Sequence, residues 1–440
     1  MPVPIILRAP SRLVPRLLHN IPKHRVFVPY RQFSQSDKIL QNDPVLSTAP
    51  SRPSHYWHTD YASKTAPVTF SPHNSRAEPS VVSRHWLRDA CTCKWCVDPS
   101  SGQKSFASCD VPVALDIRSL NSNGGDLVVN WRDDPFTHGD HVSIYPSTLW
   151  GGPESVPGTT PKPREWNREL ITQASPYYSY QAFMEDGPEY HAAMVAFTEL
   201  GLIFLRNVPK SENSVKELVA RLGVIQDTFY GTTWDVISKP NAENVAYTNS
   251  YLGLHQDLLY MDNVPRIQLL HCLENTCTGG ESLFSDSYHA ARLFTQRYPD
   301  LVAPLTNRKV VYHYNKGGHS YRQSRAVLSD LGQSKMGVWW SPPFQDPIQP
   351  DKWDESGMHL YNQCHQGSMR LKALFEDAAN VYEYKMKPGD CVLFDNRRIL
   401  HGRRAFDTSS GHRWLKGAYV ENASHNSLVA NHFRRLAEGK

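Results

Sequence analysis

What this sequence has little of bounds its class before any motif is read. Its 440 residues contain no apolar run approaching the length of a membrane span, which excludes a transmembrane helix and predicts a soluble protein. There is no internal repeat, which excludes repeat architectures. There is no real excess of one charge. The formal net charge of +4 comes from residues 1–36, which hold six basic residues (Arg8, Arg12, Arg16, Lys23, Arg25, Arg31) and no acid. The remainder carries 41 basic against 43 acidic residues, a net of −2, so a nucleic-acid partner has no compositional support. What is present, 40% hydrophobic residues, suits a sizeable core and predicts one large domain or two unequal ones.

The acid-free start is itself a signal. With apolar–basic patches at Ile5-Ile-Leu-Arg8 and Leu13-Val-Pro-Arg-Leu-Leu18, residues 1–36 resemble a mitochondrial transit peptide. Arg31-Gln-Phe-Ser34 resembles a matrix-processing site, with cleavage after Phe33. Prolines at 2, 4, 10 and 15 weaken a helix there, and the alternative is a disordered basic tail. The expected location is the mitochondrial matrix, with the cytoplasm as the alternative. Residues 37–80, rich in Ser, Pro and His, read as a linker.

Two sets of residues carry metal-binding chemistry. Cys91, Cys93 and Cys96 crowd into six residues; C-x-C-x2-C spacing pairs poorly into disulfides but brings three thiolates to one ion. A tetrahedral zinc needs a fourth ligand, and His138 and His141 are the candidates after an intervening strand. Free or redox-active thiols are the alternative. Cys109, Cys272, Cys277, Cys364 and Cys391 read as core or near-core residues.

The second set is His-x-Asp, which occurs at His58/Asp60, His138/Asp140 and His255/Asp257. On an extended segment residues two apart point the same way, so each pair can face one ion. The His58 pair lies in the linker-like segment. Only His255/Asp257 is followed by a buried-strand run, Ile267-Gln-Leu-Leu-His-Cys-Leu273, a Gly-Gly turn and a second strand, Glu281–Ser285. Only this copy has a fitting third ligand, His401 in CVLFDNRRILHGRRAF. Two His and one carboxylate make the facial triad of non-haem Fe(II) oxygenases, which leaves metal positions open for a cosubstrate and O2. Twelve residues past His401, Arg413 opens the strand-like RWLKGAYV and can hold a carboxylate bidentately.

Elsewhere, Leu200–Leu205 reads as a strand. Ser214-Val-Lys-Glu217 reads as a capping box opening a helix with Val215, Leu218, Val219 and Leu222 on one face, ended by Gly223. A further helix is predicted from about Ser368 to Asn380. Pro153–Arg164 is Pro/Gly-rich and marks a domain boundary. The rest reads as short strands and turns, a β core decorated with helices.

From about Tyr230 to Tyr419 the chain resembles the gamma-butyrobetaine dioxygenase and trimethyllysine dioxygenase group, within the wider taurine-dioxygenase-like Fe(II)/2-oxoglutarate oxygenases. The segments that carry the resemblance are YGTTWDV, KPNAENVAYTNSYLGLHQD, IQLLHCLENTCTGGESLFSD, MKPGDCVLFDNRRILHGRRAF and RWLKGAY. It implies a mainly β fold with helices (α+β): a double-stranded β-helix, or jelly-roll, catalytic domain at 165–440 behind a small zinc-binding β domain at 81–152. It implies iron on His255, Asp257 and His401, and 2-oxoglutarate held by Arg413 with help from Ser282. It closes the zinc set as Cys91, Cys93, Cys96 and His141. It places Tyr230, Trp234, Tyr247 and Tyr419 as an aromatic cage for a trimethylammonium group, with Asn244 near the substrate.

The implied reaction is hydroxylation of gamma-butyrobetaine to L-carnitine, with trimethyllysine as the alternative substrate. The resemblance also admits ascorbate as reductant and a homodimer. Thr248–Gly253 leans towards the trimethyllysine enzymes, HGRRAF and GAY towards the gamma-butyrobetaine enzymes. Between Lys335 and Gln349 the family's polar contacts to a substrate carboxylate find no match. There Trp339, Trp340, Pro342 and Pro343 suggest a more apolar wall. A non-catalytic, zinc-organised binding protein with a vestigial pocket is the reading from another class.

Overall fold

The computed structural model describes residues 55–72, 80–123, 125–137, 139–146, 149, 160–238, 247–332, 336–350 and 352–439. The transit-peptide expectation, His138 and Asn244 lie outside the described residues. The chain divides into two units, Met1–Tyr145 and Pro146–Lys440. Among the described residues no helix is long and apolar enough to cross a membrane.

The described residues of the first unit form two small antiparallel sheets, the short α-helix Arg84–Asp89 and a 3-10 turn at Ser108–Asp110. The segment 37–80, read as linker, is corrected in part: His55–His58 and Val68–Pro72 are strands, paired with each other and with Ser80–Val82. Two apolar residues in that polar stretch explain the difference, because Trp57 and Val68 are buried. The stretch is also tied down by Arg84, whose guanidinium donates to the carbonyls of Asp60, Ala66 and Leu115 at 2.5, 2.6 and 2.9 Å. The second sheet is a meander of Asp116–Asn123, Asp126–Asp134 and Gly139–Tyr145. Strand alternation sends Leu127, Val129 and Trp131 inward on the middle strand, and His141, Ser143 and Tyr145 inward on the last.

Two sheets of the second unit share a core. The larger has strand order Tyr177–Ser179, Leu202–Arg206, Cys391–Asp395, Ile267–Asn275, Arg413–Val420, Trp234–Ile237, antiparallel except for its first pair. The smaller is antiparallel: Leu252–His255, Ile399–Arg403, Ser282–Asp286, Val381–Tyr384.

Ile267–Asn275 reads as a continuous apolar run because both faces of its sheet are covered. One face, with Ile203, Leu205, Ile267, Leu269, Leu393 and Ala418, packs on the helices Pro188–Leu200, Ser214–Leu222 and Asn422–Ala437. The other face, with Phe204, Leu270, Phe394 and Leu415, meets Phe284 and Ile399 of the smaller sheet. Phe284 touches Phe204 and Phe394 edge-on, at ring distances of 5.8 and 5.9 Å. Between these sheets lies the space that the site occupies.

Three local expectations change. The helix expected from Ser368 runs from Glu355 to Phe375. It starts early because Asp354 Oδ1 accepts from Gly357 N at 2.9 Å. It stops at Phe375, where Asn380 Nδ2 donates to the Leu374 carbonyl. The Ser214–Leu222 helix forms, but without the capping box: Asn213 takes the N-cap position, and Ser214, already in the first turn, donates its hydroxyl to the Pro209 carbonyl at 3.0 Å. Cys109 is exposed in a short turn, whereas Cys272, Cys277, Cys364 and Cys391 are buried.

His271, on the same central strand, is fully buried, and neither ring nitrogen has a hydrogen-bond partner among the described residues. Burial pushes its imidazole down to about 4, opposed in part by Asp390. A histidine that stays neutral when folded and takes a proton near pH 6.5 when unfolded contributes stability above that pH. The contribution is lost as pH falls through 4. His271→Leu should therefore flatten the fall in stability between pH 7 and pH 4.5. Urea midpoints of the metal-free protein at the two pH values test this; an equal fall in wild type and variant contradicts it.

Candidate active site

Three side chains converge between the sheets of the second unit. His255 ends the strand Leu252–His255 and lies in register with His401 on the adjacent strand, their rings 4.4 Å apart. Asp257 follows two residues on. Its carboxylate comes within 3.3 Å of His255 Nε2 and 3.7 Å of His401 Nε2. The short return that makes this possible is held from behind. Asn396 accepts from Asp257 N at 2.8 Å and donates to the carbonyls of Asp257 and Pro265. Gln256 exchanges two 2.8 Å hydrogen bonds with the backbone of Trp340, one through its amide nitrogen and one through its side chain. Leu258, at φ +60°, takes the left-handed conformation that the turn requires.

The electrostatics suit a divalent cation. His255 Nδ1 bonds to the Gly253 carbonyl at 2.8 Å, which turns Nε2 inward as the lone-pair nitrogen. Burial, reinforced by His255 and opposed by Asp257, pushes His401 down to about 3, so it is neutral at pH 7. Burial alone would raise Asp257. The neighbouring His401 and His255 and the Tyr419 hydroxyl outweigh it and hold the carboxyl well below its usual range. Two imidazole nitrogens and one ionised carboxylate are the donor set of a non-haem Fe(II) centre, and these residues fit one.

One end of the cavity beyond this cluster is cationic. Arg413, Arg403 and Ser282 line it together with His255, Asp257 and His401. Arg413 is buried, and its Nε has no hydrogen-bond partner among the described residues. Burial lowers it only to about 10, so it remains charged at pH 7. Arg403, lowered to about 10 by burial and by Arg413, donates to the carbonyls of Thr248 and Ser250 at 2.7 and 2.9 Å. Gly280, at φ +72°, lets Arg413 pass: a Cβ there would stand 3.2 Å from Arg413 Cδ. Such a charged end is suited to a carboxylate.

A second cavity adjoins the first and shares Trp234 and Asp257 with it. It is lined by Tyr230, Trp234, Tyr247, Tyr260, Phe344 and Tyr419, with Asp257 and Leu258. Tyr419 and Trp234 stack at 4.1 Å with their planes 25° apart. Gly417, opposite Trp234 in register, makes room for the indole; a Cβ there would fall 2.4 Å from it. Tyr230, Trp234, Tyr247 and Tyr419 thus meet at one place although the outermost two lie 189 positions apart in the chain.

Sequence reasoning missed Tyr260, Phe344, Gln268, Asn396 and Arg403. Gln268 Nε2 donates to Asp257 Oδ2 at 2.8 Å. Its signal was a lone amide inside an apolar strand. Phe344 belongs to the segment read as an apolar wall. The other two His-x-Asp pairs go elsewhere: Asp60 closes a local turn onto Ala62 N, and Asp140 pairs with Arg118 on the surface.

In the first unit, Cys91, Cys93, Cys96 and His141 form a second cluster. The three sulfurs stand 3.3, 3.7 and 3.8 Å from His141 Nε2. Zinc–sulfur bonds of about 2.3 Å and a zinc–nitrogen bond of about 2.0 Å at a tetrahedral angle put these atoms roughly 3.6 Å apart, so the cluster fits a zinc site. Burial and the neighbouring Cys91 push the Cys96 thiol up to about 12, so ionising it there calls for a bound cation. The fully buried Arg88 donates to Cys96 Sγ at 3.2 Å and is held by a two-point ion pair with Asp134.

Comparison with known proteins places this geometry. Residues 170–419 match the family described as "Taurine catabolism dioxygenase TauD, TfdA family". The chain is similar to dioxygenase str8 of Strobilurus tenacellus, with 34% identity over 76% of this chain and 81% of that protein. It is similar to gamma-butyrobetaine dioxygenase of Pseudomonas sp. (strain AK-1), with 29% identity over 76% and 86%. It is also similar to the mitochondrial trimethyllysine dioxygenase of Bos taurus, with 26% identity over 83% and 87%.

The Arg88–Asp134 pair beneath the cysteines makes a stability prediction. Asp134→Ala leaves the Arg88 guanidinium buried without its counter-charge, at a cost of about 3–5 kcal/mol. The full-length variant should melt at lower temperature and carry less zinc by elemental analysis. Wild-type melting with a full zinc content would contradict it.

Proposed function

The chain belongs to the TauD, TfdA family of 2-oxoglutarate-dependent dioxygenases, and on that premise we propose that it hydroxylates a small trimethylammonium amino acid. Gamma-butyrobetaine, giving L-carnitine, is the first substrate and trimethyllysine the second. The observation that carries this reading is the aromatic cavity sharing Trp234 and Asp257 with the cavity of the His255–Asp257–His401 cluster. A quaternary ammonium has no N–H to donate. Ring faces hold it by cation–π attraction while its methyl groups leave water. No Lys or Arg is among the described residues lining that cavity. Names of two relatives, a gamma-butyrobetaine and a trimethyllysine dioxygenase, support the same class.

In this reading His255, Asp257 and His401 hold Fe(II), which with 2-oxoglutarate and O2 supplies the oxidising power for C–H hydroxylation. Arg413 pairs with the far carboxylate of 2-oxoglutarate, and the Ser282 hydroxyl adds a hydrogen bond. Tyr230, Trp234, Tyr247 and Tyr419, joined by Tyr260 and Phe344, hold the cationic head, with Asn244 near the rest of the substrate. This orients one C–H bond beside the metal cluster and keeps water out. The two facing sheets of residues 165–440 constitute a double-stranded β-helix. Residues 81–152 form a domain organised by zinc on Cys91, Cys93, Cys96 and His141. Residues 1–36 direct the protein to mitochondria, a location supported by the names of the trimethyllysine relatives.

Two expected outcomes test the reading. His255→Ala or Asp257→Ala should abolish iron-dependent succinate formation in folded protein, while His58→Ala retains it. Equal loss in the His58 variant would overturn the choice of motif, and no 2-oxoglutarate turnover in wild type would favour a non-catalytic binding protein. Trp234→Ala should weaken gamma-butyrobetaine or trimethyllysine binding about tenfold or more, because one desolvated cation–π contact is worth roughly 1–2 kcal/mol. Affinity for 2-oxoglutarate should barely change. A tert-butyl analogue, equal in shape but uncharged, should bind wild type poorly; binding as tight as the cation's would make these aromatics plain packing.

A further inference from the structure

The phenol of Tyr419 faces two ways. Its ring lines the aromatic cavity and stacks on Trp234. Its hydroxyl donates to Asp257 Oδ2 at 2.8 Å. Gln268 Nε2, directly opposite Tyr419 in register on the central strand, donates to the same oxygen at 2.8 Å. A carboxylate oxygen offers two lone pairs, and here both on Oδ2 are taken by the protein. Oδ1, which faces His255 Nε2 at 3.3 Å, is left to meet a cation. The ring cannot slide away, because Trp234 covers it and Gly417 seats Trp234 against the strand.

We infer that Tyr419 is a positioning residue that couples occupancy of the aromatic cavity to the carboxylate of Asp257. The inference rests on the reading of that cavity as a site for a trimethylammonium group. A cation against the ring face draws electron density from the phenol and makes its O–H a stronger donor. The hydrogen bond to Oδ2 tightens, and the charge that Oδ1 presents to the metal falls. No proton leaves Tyr419: burial and the Asp257 charge hold its phenol well above the ordinary range. Gln268 acts on the same oxygen from the lining of the metal-cluster cavity and not of the aromatic one, so it fixes Asp257 without touching the trimethylammonium group. The consequence is that oxidation at the metal is matched to the presence of substrate.

The test separates the ring from the hydroxyl. Tyr419→Phe keeps the aromatic face and removes only the donor; Gln268→Met removes the other donor and leaves the lining of the aromatic cavity intact. Full-length protein is loaded with Co(II), whose visible absorption reports ligand geometry, and titrated with gamma-butyrobetaine and with trimethyllysine. Binding is followed in parallel by calorimetry. In wild type, one of the two cations should bind and shift the Co(II) spectrum. In Tyr419→Phe it should bind within about threefold of wild type, yet the spectral shift should vanish. In turnover with iron, succinate formed per hydroxylated product should rise severalfold. In Gln268→Met the starting spectrum should differ, while the response to the cation persists. A full spectral shift in Tyr419→Phe overturns the inference and leaves the cavity reading standing. Failure of wild type to bind either cation instead overturns the cavity reading, and the coupling with it.

Discussion

The pairing of Ile267–Asn275 with Arg413–Val420 is the constraint on which the rest of the second unit depends. In register, Gln268 meets Tyr419 and Leu270 meets Gly417. Because side chains alternate along a strand, one set of residues on this pair goes to the helices and the other to the space between the sheets. A slip of Ile267–Asn275 by one residue would send Ile267 and Leu269 into the cavity and drive Gln268 into the apolar helix face, away from Asp257. The long apolar composition of both strands makes that register costly to lose. A single pairing therefore sets the core, the hydrogen bonds to Asp257 and the placement of Arg413.

Charge is the second organising theme. The cavity between the sheets holds a carboxylate, two imidazoles and two guanidiniums, all largely removed from water. Buried charges need partners or ligands. Asp257 has Gln268 and Tyr419, and Arg403 has backbone carbonyls, whereas Arg413 keeps a buried N–H without a protein acceptor among the described residues. The interior thus carries a His–Asp–His donor set at one end and a buried guanidinium with an unused N–H at the other. The first unit repeats the logic with Arg88, whose charge is balanced by Asp134 while it donates to a cysteine of the metal-binding cluster.

Much of this was legible along the chain because the signals are local. His255 and Asp257 lie two apart on a strand end, and three cysteines lie within six residues. The runs Ile267–Leu273 and Cys391–Phe394 announce buried strands by composition alone. Where the chain was misread, a tertiary partner overrode the local preference. Trp57 and Val68 make strands of a polar segment because a core exists for them to enter, and Ser214 is not the cap because the helix starts one residue earlier, with Asn213 at the N-cap. Gln268, Tyr260 and Phe344 carried no pattern of their own. A glutamine in an apolar strand reads as an anomaly until the carboxylate it serves stands beside it.

The sequence by itself determined which residue types could bind metal, where apolar strands fall, and the order of His255, Asp257, His401 and Arg413 along the chain. Spacing and alternation are properties of neighbours in the chain, and neighbours in the chain are what a sequence displays. Tertiary structure brought Asp257, the carboxylate that sequence context had already favoured over Asp60 and Asp140, within 3.3 Å of His255 Nε2 and 3.7 Å of His401 Nε2. It alone decided that Tyr419 reaches Asp257 while stacking on Trp234, and that Gly417 leaves room for the indole. Those relations join residues up to 185 positions apart. They exist because strand register and sheet packing bring the atoms within hydrogen-bond and van der Waals range, and no local pattern encodes a distance of that kind.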